Sequence, residues 1–83
     1  MSILFSDHAL LQIKKRNIPP EDIIDCIAHP DKIIQQTTVR FRSIRLFKKN
    51  KKCYVLIAIY DKQERAHTII VTAFISSKIK KYI

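Results

Sequence analysis

Glycine is absent from this 83-residue sequence, and long apolar runs are absent with it. Without glycine, every turn must be made by Asn, Asp, Lys, Gln or Pro. No run approaches the roughly 20 apolar residues that span a bilayer, and the first residues lack the basic and apolar regions of a secretory signal. We therefore expect a cytoplasmic protein without a membrane partner.

Cysteine and clustered carboxylates are also scarce. Cys26 and Cys53 lack the C-x-x-C spacing, which argues against zinc or paired-thiol redox chemistry and predicts two buried free thiols. Asp31, Asp61 and Glu64 are scattered over predicted loops, so the paired carboxylates of a two-metal nuclease are missing. The sequence thus predicts neither a metal ion nor a cofactor.

Basic residues dominate, with 16 Lys and Arg against seven Asp and Glu and a net charge of +9. The excess is uneven, because residues 1–28 carry three basic and four acidic side chains, whereas residues 29–83 carry thirteen and three. Such a field attracts nucleic acid, an anionic membrane surface or an acidic protein. The alternative is a well-solvated lysine surface with no specific partner.

Residues 53–60 form the longest run of purely hydrophobic residues and predict the central strand of a sheet. Alternation places Val55, Ile57 and Ile59 on one face and Tyr54 and Tyr60 on the other. We expect the aliphatic face to be the core and the tyrosine face to be the open one.

The remaining pattern predicts an α+β domain covering residues 1–83. Ser6 or Asp7 caps a helix that ends near residue 16 or 17, and Pro20 begins a second helix that His29 and Pro30 end. Alternating segments then predict strands at residues 32–36, 39–47, 53–60 and 67–76, with a loop at 61–65. We expect two helices packed on one face of a four-stranded antiparallel meander, with residues 3–5 available as a short edge strand.

The alternation slips within residues 39–47, which predicts a β-bulge near Ser43. The bulge would turn Arg40, Arg42 and Arg45 to the outward face. The predicted open face thus combines arginines that bind phosphates with aromatics that stack on bases, as in single-stranded nucleic acid binding. Packing across antiparallel strands favours the same residue types and is the plainer alternative.

Short motifs along the chain resemble a known family. His8 and Ala9, then Arg16 and Ile18, then Pro30, followed by a Ser-Lys-Ile-x-Lys-Tyr ending at residues 77–82, resemble a small domain of unknown function grouped with the RelE/ParE-like toxin superfamily. Two positions depart from that pattern, since Gln12 replaces an arginine and Ile83 a tryptophan.

The resemblance implies the toxin of a type II toxin–antitoxin pair, with a small acidic antitoxin protein as partner. Many such toxins are metal-independent endoribonucleases that act on mRNA, either free or on a ribosome. The candidate catalytic residues are His8, Arg16, Lys78 and Tyr82. The candidate RNA-binding residues are Arg40, Arg42, Arg45, Tyr54, Tyr60, Thr72, Ser77 and Lys81.

RNA cleavage without metal needs a base, positive charge on the transition state and an acid for the departing 5′-oxygen. Arginines and lysines supply the charge, and His8 is the best base or acid because imidazole titrates near neutral pH. A structural hydrogen bond is the alternative role for His8, and packing at the sheet edge is the alternative for the tyrosines. A noncatalytic nucleic-acid or protein-binding module, like ParE-type inhibitors, is the alternative function.

Overall fold

The computed structural model describes residues 2–64 and 67–83, so Arg65 of the predicted loop lies outside the described residues. Five strands and three helices follow one another in this part of the chain. In order they are β1 (Ser2–Phe5), α1 (Asp7–Lys15), α2 (Pro20–Ala28), β2 (Lys32–Gln35), β3 (Arg40–Lys49), β4 (Lys52–Gln63), β5 (His67–Ser76) and α3 (Ile79–Tyr82).

The first two helices begin where capping chemistry predicts. The Ser6 hydroxyl accepts a hydrogen bond from the Ala9 amide at 3.0 Å, which satisfies a first-turn donor of α1. Pro20 is the first residue of α2, and His29 follows its last residue. Within the described residues, no helix is long and apolar enough to cross a membrane.

The sheet has the strand order β1-β5-β4-β3-β2. Strands β2 to β5 form the predicted antiparallel meander, but β1 pairs in parallel with β5, from Ser2 opposite His67 to Phe5 opposite Ile70. The α+β class is confirmed, whereas a four-stranded antiparallel sheet is wrong because β1 makes it five-stranded and mixed. The parallel pairing allows the chain to leave β1 directly into α1, which packs on β5.

Helices α1 and α2 cover the tyrosine face of β4, so the predicted assignment of core and open faces is wrong. We call this the helix face; its buried cluster includes Ile13, Ile23, Leu56 and Tyr60. The reason is a transverse row of small residues, Ser43, Ala58 and Ala73, which are paired across β3, β4 and β5 and are all 0% exposed. Small side chains let helices approach the sheet closely, and we call these three residues the small-residue row.

The aliphatic face of β4 is covered on a smaller scale by the end of the chain. Ile44, Val55 and Ile57 are buried there, and Ile79 and Tyr82 of α3 pack against them. We call this the tail face. Side chains on both faces of β4 therefore pack against other parts of the chain, which explains the continuous apolar sequence of this strand.

Strand β3 is regular, and the predicted bulge near Ser43 is wrong. Its register with β4 is unbroken from Arg40 to Lys49. The irregularity lies in β5 instead, where Thr72 pairs with Ile59 and Ile70 pairs with Tyr60, leaving Val71 as the extra residue. The slipped alternation of β3 reflects two apolar faces, because Ile44 is buried on the tail face while Phe41 and Phe47 pack on the helix face.

The β3–β4 turn contains no glycine, although its backbone has a conformation that glycine adopts most easily. Lys49 pairs with Lys52, and the two residues between them, Asn50 (φ 53°) and Lys51 (φ 66°), are both left-handed. This is the pattern of a type I′ turn, in which Asn-Gly is the preferred pair. Asn tolerates the conformation, whereas the Cβ atom of Lys51 is strained there.

We predict that Lys51→Gly stabilises the domain by about 0.5–1 kcal/mol, because it removes this strain while the turn is kept. The midpoint of urea unfolding should rise with an unchanged slope. Lys52→Gly is the matched control, since it places glycine in a paired strand position and should destabilise. An unchanged or lower midpoint for Lys51→Gly would contradict the prediction.

Candidate nucleic-acid interface

Several predicted RNA-binding residues lie on the tail face, in rows set by the strand register. One row contains Ile34, Arg42, Ile59 and Thr72 on four neighbouring strands. Neighbouring strands are about 4.8 Å apart, so the Arg42 and Thr72 backbones, two strands apart, are about 10 Å from each other. An arginine and a hydroxyl therefore flank a half-buried isoleucine on one surface.

The end of the chain adds an aromatic ring and basic side chains to this face. The Tyr82 ring meets the Phe74 ring edge-on, with centroids 6.0 Å apart and an interplanar angle of 64°. Lys81 Nζ lies 5.6 Å from the centroid of Tyr82. The exposed Ser77 and Lys78 lead into the same one-turn helix, and Lys78 N donates to Ser76 Oγ at 3.1 Å. The Ser-Lys-Ile-x-Lys-Tyr motif is thus docked on the tail face by Tyr82 and Ile79.

Arg40 also belongs to the tail face, but its guanidinium is committed to a carboxylate. Nε donates to Asp61 Oδ1 at 2.7 Å and Nη2 donates to Oδ2 at 3.1 Å, across directly paired positions of β3 and β4. The hydrogen bond from Arg40 lowers the pKa of Asp61. The same hydrogen bond to the Asp61 carboxylate raises the pKa of Arg40. Arg40 is therefore already neutralised, which leaves Arg42 as the better phosphate ligand.

Arg42 is half-buried and has a neutral neighbour. With the Gln36 amide oriented so that its oxygen faces the guanidinium, that oxygen accepts from Arg42 Nε at 3.3 Å and from Nη2 at 2.8 Å. A neutral amide orients the guanidinium and leaves its charge uncompensated. An oriented, uncompensated arginine is well suited to a phosphate oxygen.

The structure separates Arg45, Tyr54 and Tyr60 from this surface, so the single open face predicted to hold them is wrong. Arg45 lies on the helix face, where Nη1 donates to the His29 carbonyl at 3.0 Å and to the Asp25 carbonyl at 3.4 Å. It therefore satisfies carbonyl oxygens at the carboxyl end of α2. The three arginines are divided between two faces because β3 has no bulge.

The two tyrosines pack on the helix face. Tyr60 is 2% exposed and stacks on Phe41, with centroids 5.8 Å apart. Tyr54 stacks on Phe47 at 5.7 Å and is half-buried. Tyr60 has no surface left on which a base could stack, so its predicted RNA contact is wrong; Tyr54 lies on the opposite face from Arg42 and Tyr82.

A small polar network surrounds the buried phenol. Ser43 Oγ donates to Tyr60 Oη at 3.1 Å, and Cys26 Sγ lies 3.4 Å from the carbonyl oxygens of Ser43 and Leu56. Burial raises the pKa of the Cys26 thiol to about 11, so it stays protonated and inert. Cys26 matches the predicted buried thiol, whereas Cys53 is only half-buried.

His8 lies on the opposite side of the sheet from the candidate catalytic residues of the tail, whereas Arg16 reaches the edge of the tail face at Thr72. His8 is exposed in the first turn of α1, on the helix side of the sheet, whereas Lys78 and Tyr82 lie on the other side. Arg16 follows α1, and its Nη1 donates to the Ala73 carbonyl at 2.7 Å and to the Thr72 hydroxyl at 3.4 Å, at an edge of β5 beyond the segment paired with β1. The structure does not bring the four candidate catalytic residues together.

The chemistry of the tail face is that of anion and base binding. Arg42, Lys78 and Lys81 supply positive charge, while Tyr82 supplies a ring and a phenolic proton. Among the described residues, no group of three or more His, Cys, Asp or Glu side chains is placed to hold a metal ion. The surface can therefore bind phosphate and stack on a base through its own side chains.

Sequence reasoning missed which face the helices cover, although a signal was present. Ser43, Ala58 and Ala73 are the small residues near the middle of three successive strands, and they are paired in the structure. Small residues at one level of neighbouring strands mark the face on which a helix can approach. That signal would have identified the aliphatic face as the one left to the short tail.

Comparison with known proteins gives a family for this fold. Residues 5–75 match the model of a family described as a domain of unknown function (DUF4258). The chain belongs to this family. The matched segment reaches Ile75 in β5 and ends before the Ser-Lys-Ile-x-Lys-Tyr tail. No curated protein and no solved structure matches the chain significantly. The relation to RelE/ParE-like toxins therefore stays a prediction.

The Arg40–Asp61 pair gives a pH-dependent prediction. Because the folded pKa of Asp61 is lowered, the pair stabilises the domain above the ordinary Asp pKa of about 3.9 and loses this contribution as the pH falls through the folded value. Arg40→Gln should raise the pKa of Asp61 in an NMR titration. Its stability deficit relative to wild type should be present at neutral pH and vanish in acid.

Arg42→Gln is the matched control, since it removes a tail-face arginine two positions away that does not pair with Asp61. It should leave the pKa of Asp61 closer to its wild-type value than Arg40→Gln does. Equal shifts in the two variants would mean that the general positive field, and not the direct hydrogen bonds, lowers this pKa.

The Ser43–Tyr60 hydrogen bond gives a second prediction. Tyr60→Phe should cost about 1–2 kcal/mol, because the ring is kept while a buried hydroxyl loses its partner. The double variant Ser43→Ala with Tyr60→Phe should cost less than the sum of the single changes, since no unpaired hydroxyl remains. Urea unfolding of all four proteins measures this coupling, and additive costs would refute it.

Proposed function

We propose that the tail face of this domain binds RNA, and that the protein acts as the toxin of a type II toxin–antitoxin pair by cleaving mRNA without a metal ion. The observation that carries the proposal is the presence of Arg42, Thr72 and the docked Tyr82 on one sheet face. The net charge of +9 supports a polyanionic partner. The motif resemblance supports the toxin part of the proposal.

The proposed binding mode uses the two halves of this surface differently. The Arg42 guanidinium binds a phosphate. Lys78 and Lys81 at the tail add positive charge that attracts other phosphates along the RNA backbone. The Tyr82 ring, which Phe74 supports from below, stacks on a base. The cytoplasmic location and the small acidic antitoxin are part of the same proposal, with the acidic protein covering the basic tail face.

In the proposed cleavage step, the 2′-hydroxyl of the ribose attacks the adjacent phosphorus and the bond to the 5′-oxygen of the next nucleotide breaks. Arg42 stabilises the charge that develops on the phosphate oxygens. Tyr82 donates its phenolic proton to the departing 5′-oxygen, and solvent takes the proton of the 2′-hydroxyl. The products are a 2′,3′-cyclic phosphate and a 5′-hydroxyl end.

A noncatalytic binding module is the second candidate, and one observation favours it. On the described strands of the tail face, the carboxylate present is Asp61, which Arg40 already holds. No histidine of the described strands faces the same row as Arg42 and Thr72. A surface with cations and an aromatic ring but without an evident base is better suited to binding than to proton abstraction.

Expression of the protein alone tests both candidates. The nuclease predicts growth arrest with cut transcripts that carry 2′,3′-cyclic phosphate ends, and Tyr82→Phe should slow cutting by about 100-fold, within the range for a lost acid. Arrest with intact RNA would refute cleavage and support the binding module. His8→Gln is the matched variant, because loss of cutting there alone would locate the chemistry at α1 instead of the tail face.

RNA binding is measured separately from cleavage with a single-stranded oligonucleotide whose 2′-hydroxyls are methylated. Affinity should fall steeply with salt, and Arg42→Gln should reduce the slope of log K against log salt by about 0.7, which corresponds to one lost phosphate contact. Arg45→Gln is the control on the helix face and should leave that slope nearly unchanged. Equal effects of the two changes would mean that binding depends on net charge alone.

A further inference from the structure

The helix face extends past the point where α1 and α2 cover it. Towards the β3–β4 turn, the apolar surface continues beyond the helices through Ile75, which is paired with the buried Leu56, and through the paired Phe47 and Tyr54. An open groove of about 810 Å³ lies over these four apolar side chains. Ile75 is 43% exposed at its floor. The layer of helices thus ends before the apolar surface beneath it does.

The two sides of this groove carry opposite charge. On the α2 side are Asp22 and Asp25, and on the side of the turn are Lys48 and Lys49. Arg45 also lines the groove, with its guanidinium held by the carbonyl oxygens of Asp25 and His29 at the end of α2. Within the described part of the chain, none of the four Asp and Lys side chains forms an ion pair. A nucleic acid would meet two carboxylates on one side, so the groove is poorly suited to a polyanion. A segment with one acidic edge and one basic edge fits both sides.

The dimensions of the groove suit a helix. Residues two apart on a strand are about 6.8 Å from each other and three strands span about 10 Å, while a helix with its side chains is about 10–12 Å across. A helix placed here would be the third member of the layer formed by α1 and α2. Its apolar stripe would cover Ile75 and the stacked Phe47 and Tyr54 rings, as in helix-in-groove recognition.

We infer that this groove docks an amphipathic helix of a partner protein. The helix carries apolar side chains at positions i, i+4 and i+7, with carboxylates along the edge that faces Lys48 and Lys49 and basic side chains along the edge that faces Asp22 and Asp25. This goes beyond the proposed function, since the groove and the tail face lie on opposite sides of the sheet. Either surface can be disrupted without changing the other.

Three synthetic helical peptides test this assignment. They share one leucine stripe and differ in the flanking residues, with Glu on one edge and Lys on the other, Glu on both edges, or Lys on both edges. Fluorescence anisotropy with labelled peptides measures affinity, and NMR shifts of the Tyr54 and Ile75 amides report the location. The mixed peptide should bind at least about fivefold more tightly than the other two, a difference of about 1 kcal/mol.

Two substitutions sharpen the test. Ile75→Asp should weaken the mixed peptide at least tenfold, whereas Ile33→Asp, also at an exposed strand isoleucine but outside the groove, should not. The double variant Asp22→Lys with Asp25→Lys should switch the preference to the peptide with Glu on both edges. Ile75 and the two aspartates are exposed, and an unchanged amide spectrum elsewhere confirms that each variant folds.

Other outcomes would overturn the assignment. These are equal affinity for all three peptides, no binding at about millimolar peptide, or shifts confined to Arg42 and Thr72 on the tail face. A single-stranded RNA that shifts Tyr54 and Ile75 while the mixed peptide does not would assign the groove to nucleic acid instead. The peptide results do not bear on RNA binding or cleavage by the tail face, which Arg42 and Tyr82 variants test separately.

Discussion

The close approach of the helices to the sheet depends on the small-residue row. Ser43, Ala58 and Ala73 are fully buried side by side in the middle of the three long strands. Larger side chains in this row would push the helices away and open the cluster around Ile13, Ile23 and Tyr60, because protein interiors tolerate little extra volume. The row thereby decides which face of the central strand the helices occupy. The tail then packs on the face that remains.

Much of the local structure could be predicted from the sequence. Ser6 and Pro20 mark the helix starts by capping chemistry, and the strand at residues 67–76 has the bounds that alternation predicts. The face assignment could not be obtained in this way, since both faces of β4 are apolar and periodicity does not distinguish them. Side-chain size at Ala58 and its neighbours carries that information. The predicted bulge near Ser43 is wrong for the same reason, because Ile44 is buried on one face of β3 and Phe41 is half-buried on the other.

The candidate site was only partly predictable. Arg42, Thr72 and Tyr82 do share one face, whereas Arg45, Tyr54 and Tyr60 belong to the other. Tyr82 packs against the cluster that contains Ile57, and this contact depends on the tertiary packing of a one-turn helix too short to be stable alone. Sequence distance does not indicate this contact. Nor does it indicate that Arg40 is neutralised by Asp61, which depends on strand register. Charge counting therefore overstates how many arginines are available to a phosphate.

The hydrogen bond from Arg16 to the Ala73 carbonyl has a consequence for the behaviour of the protein in solution. The short β1 protects only the first part of β5, and an unprotected strand edge is a template on which another chain can add and begin a fibrous aggregate. A guanidinium placed against that edge occupies an acceptor and adds a charge that repels a second copy. A charged side chain at an exposed strand edge is one of the features by which proteins disfavour edge-to-edge pairing with a second copy.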